Sequence, residues 1–249
     1  TINSTGTTAN AIAGGAAGAG GAGGGEAGGG AAGAAGAAGT AGSSIIINTN
    51  GTINVTGTRD INLGTVQGTN LSVDASTFTG KLTVVAEAGN NIITGGNKVD
   101  TITGAGGQDT ITGGEGNDIF IVVDNQSTTA AADTITDFGL NGDIIRLAAA
   151  DGVAGVSAAG TTATTNVEVS SGGKVTFATA DDTLAEKLVA IAADTGDVAT
   201  NEVAFFEHGS DTYIFNNIGA TDDLIKLTGI TGATTLTEST TTAGDFTLA

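Results

Sequence analysis

The chain has 249 residues and a net charge of −19, because it contains 26 acidic residues and only seven basic ones. That charge excludes a general affinity for nucleic acid or anionic lipid and favours cationic partners, metal ions first. Cys is absent, which excludes disulfides, thiolate zinc sites and cysteine nucleophiles. Aromatic residues make up only 4% of the chain, which favours thin layers of Val, Ile and Leu between glycine turns, as in a β-solenoid.

Residues 1–43 form a low-complexity segment dominated by Gly and Ala. Within it, residues 13–42 carry one charged side chain, Glu26, and have little side-chain surface to bury. This composition predicts a flexible linker. The alternative is a tightly packed glycine-rich segment of an assembly, in which backbones touch because nothing projects between them.

Residues 44–85 contain short β-type runs separated by Gly or Asn. The runs are SSIIINT, TINVTG, DINLG, NLSVDAS and KLTVVA. Apolar residues alternate in them with Thr, Asn or Ser, which predicts a ladder of strands and turns continuous with the repeats that follow. An antiparallel sandwich is the alternative for the same pattern.

Residues 86–121 divide into the nine-residue units AEAGNNIIT, GGNKVDTIT, GAGGQDTIT and GGEGNDIFI. The eighth residue of each unit is apolar: Ile93, Ile102, Ile111 and Phe120. Because strand side chains alternate between faces, a short strand with an apolar middle residue points one side chain inward. The glycine-rich residues before it suit a tight turn. The pattern predicts a parallel solenoid in which two units make one coil.

The sixth residue of each unit is polar, in order Asn91, Asp100, Asp109 and Asp118. Turns two units apart stack about 4.8 Å from each other, so Asp100 is predicted near Asp118 and Asn91 near Asp109. Carboxylates this close oppose coiling unless a cation lies between them, and a site rich in oxygen ligands suits Ca²⁺. Backbone carbonyls of the turn glycines are predicted to complete the site: Gly89, Gly95, Gly104, Gly107, Gly113 and Gly116. A Gly/Asp-rich loop array without metal is the alternative.

Two of the units depart from the pattern. Lys98 occupies the fourth position, where the other units have Gly, so its turn is expected to differ. Asn91 carries no charge, so its site is expected to bind calcium more weakly, through the side-chain carbonyl. Beyond the units, residues 133–147 predict two closing strands around a turn. Asp133 and Asp143 there are either further calcium ligands or caps of their own turns.

Residues 148–249 predict a β-rich cap that contains one helix. The helix is predicted over 181–194, because Thr183 and Glu186 form a capping box before an apolar stripe. The predicted strands are GKVTFAT at 173–179, a hairpin over 202–217 that turns at 208–211, and DDLIKLTGI at 222–230.

The nine-residue unit resembles the G-G-x-G-x-D-x-U-x repeat of RTX proteins, which binds calcium in a parallel β-helix. The unit GGEGNDIFI fits every position. Residues 70–122, in which a DAS-x-x-TG strand leads into the units, resemble the C-terminal part of calcium-dependent bacterial surface-layer (S-layer) proteins and related extracellular fibre proteins. The ending GSDTYIFNN…DDLIKLTGI…DFTLA is similar to the type I secretion signal at the C-terminus of those proteins.

The resemblance implies export of an unfolded chain by the type I secretion machinery. It further implies that the secreted chain coils and self-assembles at the cell surface when it meets millimolar extracellular calcium. The implied partners are copies of the chain itself, calcium ions and the secretion machinery, and cell-surface polysaccharide is a candidate anchor. Binding to nucleic acid and insertion into a membrane are not expected.

Enzymatic activity is not expected, and the sequence offers no catalytic residues. His208 is the only histidine, which excludes an H-E-x-x-H zinc helix, and no G-x-S-x-G elbow is present. We expect His208 to be a solvated turn residue. The rival to a structural subunit is a calcium-folded secretion or adhesion module of an RTX adhesin or a secreted hydrolase.

The predicted fold is mainly β, a parallel β-roll or β-helix (RTX solenoid) between a Gly/Ala-rich N-terminal segment and a β-rich C-terminal cap. The predicted divisions are the low-complexity segment 1–43, the strand ladder 44–85, the calcium-binding β-roll with closing strands 86–147, and the cap with the secretion-signal region 148–249.

Overall fold

The structure, a computed structural model, describes most of the chain after residue 51. The described residues are 2–3, 45–46, 52–123, 127–139, 142–147, 155–156, 167–177, 183–193, 198–218 and 222–249. The Gly/Ala-rich tract, and with it the choice between a linker and a packed segment, lies outside the described residues.

The described residues contain twenty strands and one helix. The strands of the first half are β1 (Ile2–Asn3), β2 (Ile45–Ile46), β3 (Thr52–Thr56), β4 (Ile61–Gln67), β5 (Ser72–Asp74), β6 (Leu82–Ala86), β7 (Ile92–Thr94), β8 (Thr101–Thr103), β9 (Thr110–Thr112), β10 (Ile119–Val122), β11 (Asp133–Ile135) and β12 (Ile144–Leu147). The remaining elements are β13 (Gly155–Val156), β14 (Val167–Val169), β15 (Val175–Phe177), α1 (Leu184–Ala193), β16 (Glu202–His208), β17 (Asp211–Asn217), β18 (Asp223–Leu227), β19 (Leu236–Glu238) and β20 (Asp245–Leu248).

Strands β3 to β12 alternate between two sheets, as successive sides of a solenoid do. The odd-numbered strands of the roll belong to a ten-stranded sheet, which also contains strands of the C-terminal region. Its order is β1-β3-β5-β7-β9-β11-β18-β17-β16-β13. The even-numbered strands of the roll belong to an eight-stranded sheet, to which β19 and β20 are added. Its order is β19-β20-β12-β10-β8-β6-β4-β2. Pairing is parallel from β1 to β11 and from β2 to β12. The predicted β-roll is therefore confirmed, and the described strands of residues 44–85 belong to it and not to an antiparallel sandwich.

The eighth residue of each unit forms the core of the roll, as predicted. Ile93 lies opposite Ile111 in one sheet, and Ile102 lies opposite Phe120 in the other. All four are at most 3% exposed, whereas Ile92, one residue before an inward position, is 56% exposed. Each buried side chain of this size stabilises the fold by roughly 1.5–3 kcal/mol, so a thin stack of single side chains holds the coils together.

Strands from the C-terminal region close one end of the roll in both sheets. β18 adds in parallel to β11, and β17 and β16 then follow in antiparallel order. β20 pairs antiparallel with β12, and an ion pair between Arg146 and Asp245 links these two strands. The last coil therefore has no exposed edge at β11 or β12 in the described structure.

A second, smaller core lies outside the roll and contains α1, the β14–β15 hairpin and one face of β16 and β17. The helix begins after Thr183, whose hydroxyl accepts the N–H of Glu186 at 3.2 Å, while Glu186 Oε2 accepts the N–H of Thr183 at 3.0 Å. This confirms the predicted capping box. The predicted 202–217 hairpin is also present, with Gly209 and Ser210 between its strands. Among the described residues, no helix has the length and hydropathy needed to cross a bilayer.

Candidate metal centre

The sixth residues of alternate units stack along the start of the eight-stranded sheet, where they form what we call the first ladder. It consists of Asp100, Asp118 and Asp143. The Oδ1 atom of each accepts the backbone N–H of the corresponding residue one coil earlier, namely Leu82 at 2.7 Å, Asp100 at 2.7 Å and Asp118 at 2.8 Å. The predicted proximity of Asp100 and Asp118 is confirmed, and Asp143 extends the ladder beyond the repeats.

The second ladder runs along the start of the ten-stranded sheet and consists of Asn91, Asp109 and Asp133. Their Oδ1 atoms accept the N–H groups of Leu71 at 2.9 Å, Asn91 at 2.7 Å and Asp109 at 2.8 Å. The N–H of Asp133 donates to the hydroxyl of Ser127 at 2.8 Å, so a hydroxyl ends the ladder where the next carboxylate would stand. The predicted proximity of Asn91 and Asp109 is confirmed.

Two ladder carboxylates keep one oxygen without a protein donor. Asp109 is 0% exposed and Asp118 is 1% exposed. Oδ1 of each is bonded to the neighbouring coil, but Oδ2 of each is buried and has no hydrogen-bond partner. An unpartnered buried carboxylate oxygen costs more than the ~1–3 kcal/mol of a neutral group. Both belong to units whose fourth residue is Gly.

Two other carboxylates of the first ladder find a donor within their own turn. Oδ2 of Asp100 accepts the N–H of Gly96 at 2.6 Å, and Oδ2 of Asp143 accepts the N–H of Gly139 at 2.7 Å. The turn before Asp100 is the one that carries Lys98 in the fourth position. The protein itself therefore satisfies the outer oxygen in the turn that departs from the pattern.

The first glycine of each turn leaves room for the carboxylate that ends the turn. A Cβ built on Gly104 would overlap Oδ2 of Asp109, and one built on Gly113 would overlap Oδ2 of Asp118. The carbonyl oxygen of Gly113 in turn lies against Gly95 in the preceding coil. A side chain in either place would fill the space in front of the unpartnered oxygen, so these glycines form a cradle for something that binds it.

The fourth glycines serve the close stacking of turns. Gly107 and Gly116 have φ values of 130° and 136°, which L side chains rarely adopt. They pack directly on the backbone of Gly89 and Lys98 in the preceding coil. The six glycines predicted to lend carbonyls thus all lie in the ladder turns, and their role as ligands stays a prediction.

Asn91 differs from the carboxylates in what its second side-chain atom does. Its Nδ2 donates to the carbonyl oxygens of Glu87 at 2.8 Å, Gly89 at 3.0 Å and Gly104 at 3.2 Å. Three carbonyls therefore converge on an N–H₂ group from two successive coils. The amide supplies the positive partner that an ion would supply to the same oxygens. The prediction that Asn91 ligates calcium stays a prediction, and these contacts favour a turn that is stable without an ion.

Burial makes the carboxylates of the ladders hard to ionise. It raises the pKa of Asp109 and that of Asp118 to about 7, although backbone N–H bonds and, at Asp109, the nearby side-chain amide of Asn91 partly oppose the rise. Burial raises the pKa of Asp133 to about 8, and the charge of Asp109 adds to the effect. The pKa values of Asp100 and Asp143 are raised by burial as well. The folded chain therefore favours either protons or a cation at these oxygens.

The available oxygen ligands fit Ca²⁺. Asp109 in the second ladder and Asp118 in the first are the side chains that would each hold an ion. No three Asp, Glu or His side chains converge on one point in the described ranges. An ion bound there would take one carboxylate at each turn, with backbone carbonyls as its predicted further ligands. Ca²⁺ accepts six to eight such oxygens in flexible geometry, whereas Mg²⁺ demands a near-ideal octahedron. When bound, the ion would supply positive charge to the buried oxygens of Asp109 and Asp118.

Sequence reasoning missed two further kinds of turn-holding residue. Asp137 accepts the N–H groups of Gly113 and Gly114, both at 2.8 Å. Asn70 accepts the N–H of Asn90 at 2.8 Å, one position before the second ladder. The signals were the second Asp of the D-x-I-x-D-F segment and an Asn in the fifth position of a turn, both visible in the sequence.

Replacing Asp109 and Asp118 by Ala removes both unpartnered oxygens together with the ligands. We expect the calcium midpoint for folding to rise, because each lost site removes about 2.7 kcal/mol at a hundredfold excess of calcium over its Kd. Circular dichroism of EDTA-stripped protein during a calcium titration measures the midpoint. The control is Asp74→Ala, at an exposed residue of β5 in the ten-stranded sheet that also holds β9, and it should shift the midpoint far less. An unchanged midpoint in the double variant contradicts the assignment.

Asn91→Asp replaces an amide that donates to three carbonyls by a carboxylate that cannot. We expect the variant to be less stable than wild type in EDTA and to bind one more calcium ion per chain. Asp109→Asn is the reciprocal control, which should bind one ion fewer while still folding. Thermal unfolding with and without calcium, and ion counting by native mass spectrometry, give both readouts. Equal ion counts in wild type and Asn91→Asp would refute the substitute role of the amide.

The raised pKa values predict that acid stabilises the calcium-free fold. Between about pH 4, the ordinary Asp value, and pH 7, the folded chain binds more protons than the unfolded chain, so its stability falls as pH rises through this window. We expect a higher melting temperature in EDTA at pH 5 than at pH 8, and a smaller difference with saturating calcium. The variant Asp109→Asn/Asp118→Asn should lose much of the dependence. A melting temperature in EDTA that rises with pH would contradict the argument.

Comparison with known proteins gives one finding for these turns. Residues 85–120 match the RTX calcium-binding nonapeptide repeat, in four copies. No curated protein matches the chain. The matched range contains the sixth positions from Asn91 to Asp118 and ends before Asp133 and Asp143. The turns within residues 85–120 of this β-solenoid therefore match RTX repeats, and Ca²⁺ is the cofactor of that repeat.

Proposed function

We propose that this chain is a calcium-folded, self-assembling structural protein of an extracellular layer or fibre. The single observation that carries the proposal is the pair of buried, unpartnered oxygens on Asp109 and Asp118. They leave the roll incomplete until an ion binds, so the availability of calcium decides where the chain folds. On this proposal the protein is exported by the type I machinery and works at the cell surface.

Calcium concentration supports an extracellular place of folding. Sites of the extracellular type, with Kd near 10⁻⁴–10⁻³ M, stay empty at cytosolic calcium and fill outside the cell. Because the repulsion between buried carboxylates opposes coiling without the ion, the chain would stay unfolded during export. The absence of Cys from the sequence fits this route, since no disulfide has to form.

The outer strands at one end of the roll support the proposal of self-assembly. Within the described residues, β1 and β2 are the outermost strands of the two parallel sheets, at the end opposite the C-terminal strands. An outer strand offers N–H and C=O groups that pair with another chain unless something covers them. On this proposal, a second copy of the chain, or the candidate cell-surface polysaccharide, would bind away from the end that the C-terminal strands cover.

A structural role also agrees with the surroundings of the one histidine. His208 ends β16, where it is half-buried beside Tyr213, with the ring centroids 6.4 Å apart. A packing position of this kind differs from the solvated turn predicted from the sequence, because the hairpin turn begins one residue later. We infer that the protein is not an enzyme.

The second candidate function is a calcium-folded secretion or adhesion module of a larger RTX adhesin or hydrolase. The closed end of the roll favours it: β18 and β20 cover β11 and β12, so the coil ends without needing another chain. A module of this kind folds with calcium and stays monomeric.

Calcium titration of EDTA-stripped protein, followed by circular dichroism and light scattering together, separates the two functions. The structural subunit predicts that the β signal and scattering rise together at submillimolar to millimolar calcium. A β signal that rises while scattering stays flat at high protein concentration overturns self-assembly and leaves the module. The Asp109→Ala/Asp118→Ala variant is the control, since its scattering should shift with its folding midpoint.

A further inference from the structure

Four polar side chains are buried where the C-terminal sheet joins the end of the roll. We call Ser127, Asp133, Asn216 and Asp223 the seam cluster. Asp133 is 5% exposed and the other three are 0% exposed. Asp133 begins β11, which pairs with β18, and Asp223 begins β18 with Asn216 of β17 directly opposite. The cluster thus spans three neighbouring strands, only the first of which belongs to the roll.

Asn216 and Asp223 both point toward the core of the roll. Directly opposed residues of antiparallel strands project to one face, and so do residues two apart in a strand. Ile214 and Ile225, two positions away from each, belong to the core of the roll, whereas the residues between belong to the C-terminal core. The two side chains therefore share one buried space at the end of the roll.

Asn216 has a hydrogen-bonding group that the protein does not satisfy. Its Oδ1 atom is buried and has no hydrogen-bond partner. Its Nδ2 atom lies 3.5 Å from Oδ2 of Asp223, at the outer limit of a hydrogen bond. Buried amide oxygens without a partner are rare in folded proteins and point to an unseen ligand or water. The atom that faces Asp223 is Nδ2. Turned over about its Cβ–Cγ bond, the amide would present Oδ1 to a cation that Asp223 also binds.

The charge around the amide favours a cation as that ligand. Asp223 lies close enough for its negative charge to act on Asp133. Ser127 holds the two strands at this distance, because its hydroxyl donates to the carbonyl of Leu224 at 2.7 Å and accepts the N–H of Asp133 at 2.8 Å. Two carboxylates and an amide carbonyl are hard oxygen ligands, which Ca²⁺ accepts readily.

We propose that Asn216 and Asp223 form a calcium site outside the nonapeptide repeats, with Asp133 beside it. The ion bound there joins the C-terminal sheet to the last coil of the roll. The repeat match ends at residue 120, so this site adds a calcium requirement to a part of the chain that carries no repeat. It does not depend on self-assembly, and a monomeric chain would need it equally.

Ion counting on the full chain tests the site. We expect Asp223→Asn to bind one calcium ion fewer than wild type by native mass spectrometry and equilibrium dialysis. Asp211→Asn is the matched control: it removes the same charge from the same sheet, at the far end of β17, where Asp211 pairs with Lys226 at 2.9 Å. This control should bind as many ions as wild type.

A second variant decides the question if Asp223→Asn does not fold. Asn216→Asp adds a carboxylate to the site, so we expect lower stability in EDTA and a lower calcium concentration at the midpoint of C-terminal folding. Near-UV circular dichroism reports that folding, because Tyr213 is the sole tyrosine, Trp is absent, and Tyr213 is 6% exposed in β17. An unchanged ion count in folded Asp223→Asn, or equal destabilisation of Asn216→Asp with and without calcium, would overturn the site and leave a water or a plain polar contact.

Discussion

The structure depends on how a carboxylate can be buried between stacked turns. In each ladder one side-chain oxygen accepts the backbone N–H of the preceding coil, so the polar residue links two coils and cannot face solvent. A carboxylate used in this way has a second oxygen, which lies in the same buried space. The protein must give that oxygen a donor, a proton or an ion. At Asp109 and Asp118 it gives no donor, and the ion becomes part of the fold.

The two ladders solve this problem differently along their length. Asp100 and Asp143 use N–H groups of their own turns, and Asn91 carries its own N–H₂ group to the carbonyls that surround it. These protein-satisfied turns flank the two that need an ion. We therefore infer that the roll has a partly ion-independent frame, within which calcium at the middle turns sets the stability.

The C-terminal strands couple the folding of the roll to the folding of the C-terminal region. They continue both sheets, bury Ile214 and Ile225 in the core of the roll, and place Asn216 and Asp223 at its last coil. The cap is completed only on a formed roll, because β18 and β20 each have one unpaired edge until β11 and β12 are in place. Folding of the repeats and folding of the cap are then coupled through these two strand pairs.

The sequence by itself determined the roll, because its signals are local and periodic. In each nine-residue unit the eighth residue is apolar and the sixth is polar. These positions predict the strands and the side chains that point inward. Because a coil has two units, they also predict that Asp100 lies next to Asp118. The Thr183–Glu186 cap and the 202–217 hairpin are local signals too, and both were predictable. So was the choice of calcium, from charge and oxygen-rich turns.

Only the tertiary structure decided which oxygens lack a partner. Whether Oδ2 finds an N–H depends on the backbone path of its turn. Gly107 and Gly116 have positive φ at the fourth position, whereas Lys98 at the same position does not. The sequence predicts Asn91 as a metal ligand, whereas in the structure its Nδ2 donates hydrogen bonds to carbonyl oxygens. That role depends on carbonyls from two coils. The meeting of Ser127, Asp133, Asn216 and Asp223 depends on contacts of very long range, such as the hydrogen bond from Ser127 to Leu224, 97 residues later. Contacts of this range carry no periodic signal, because they arise from packing one finished element on another.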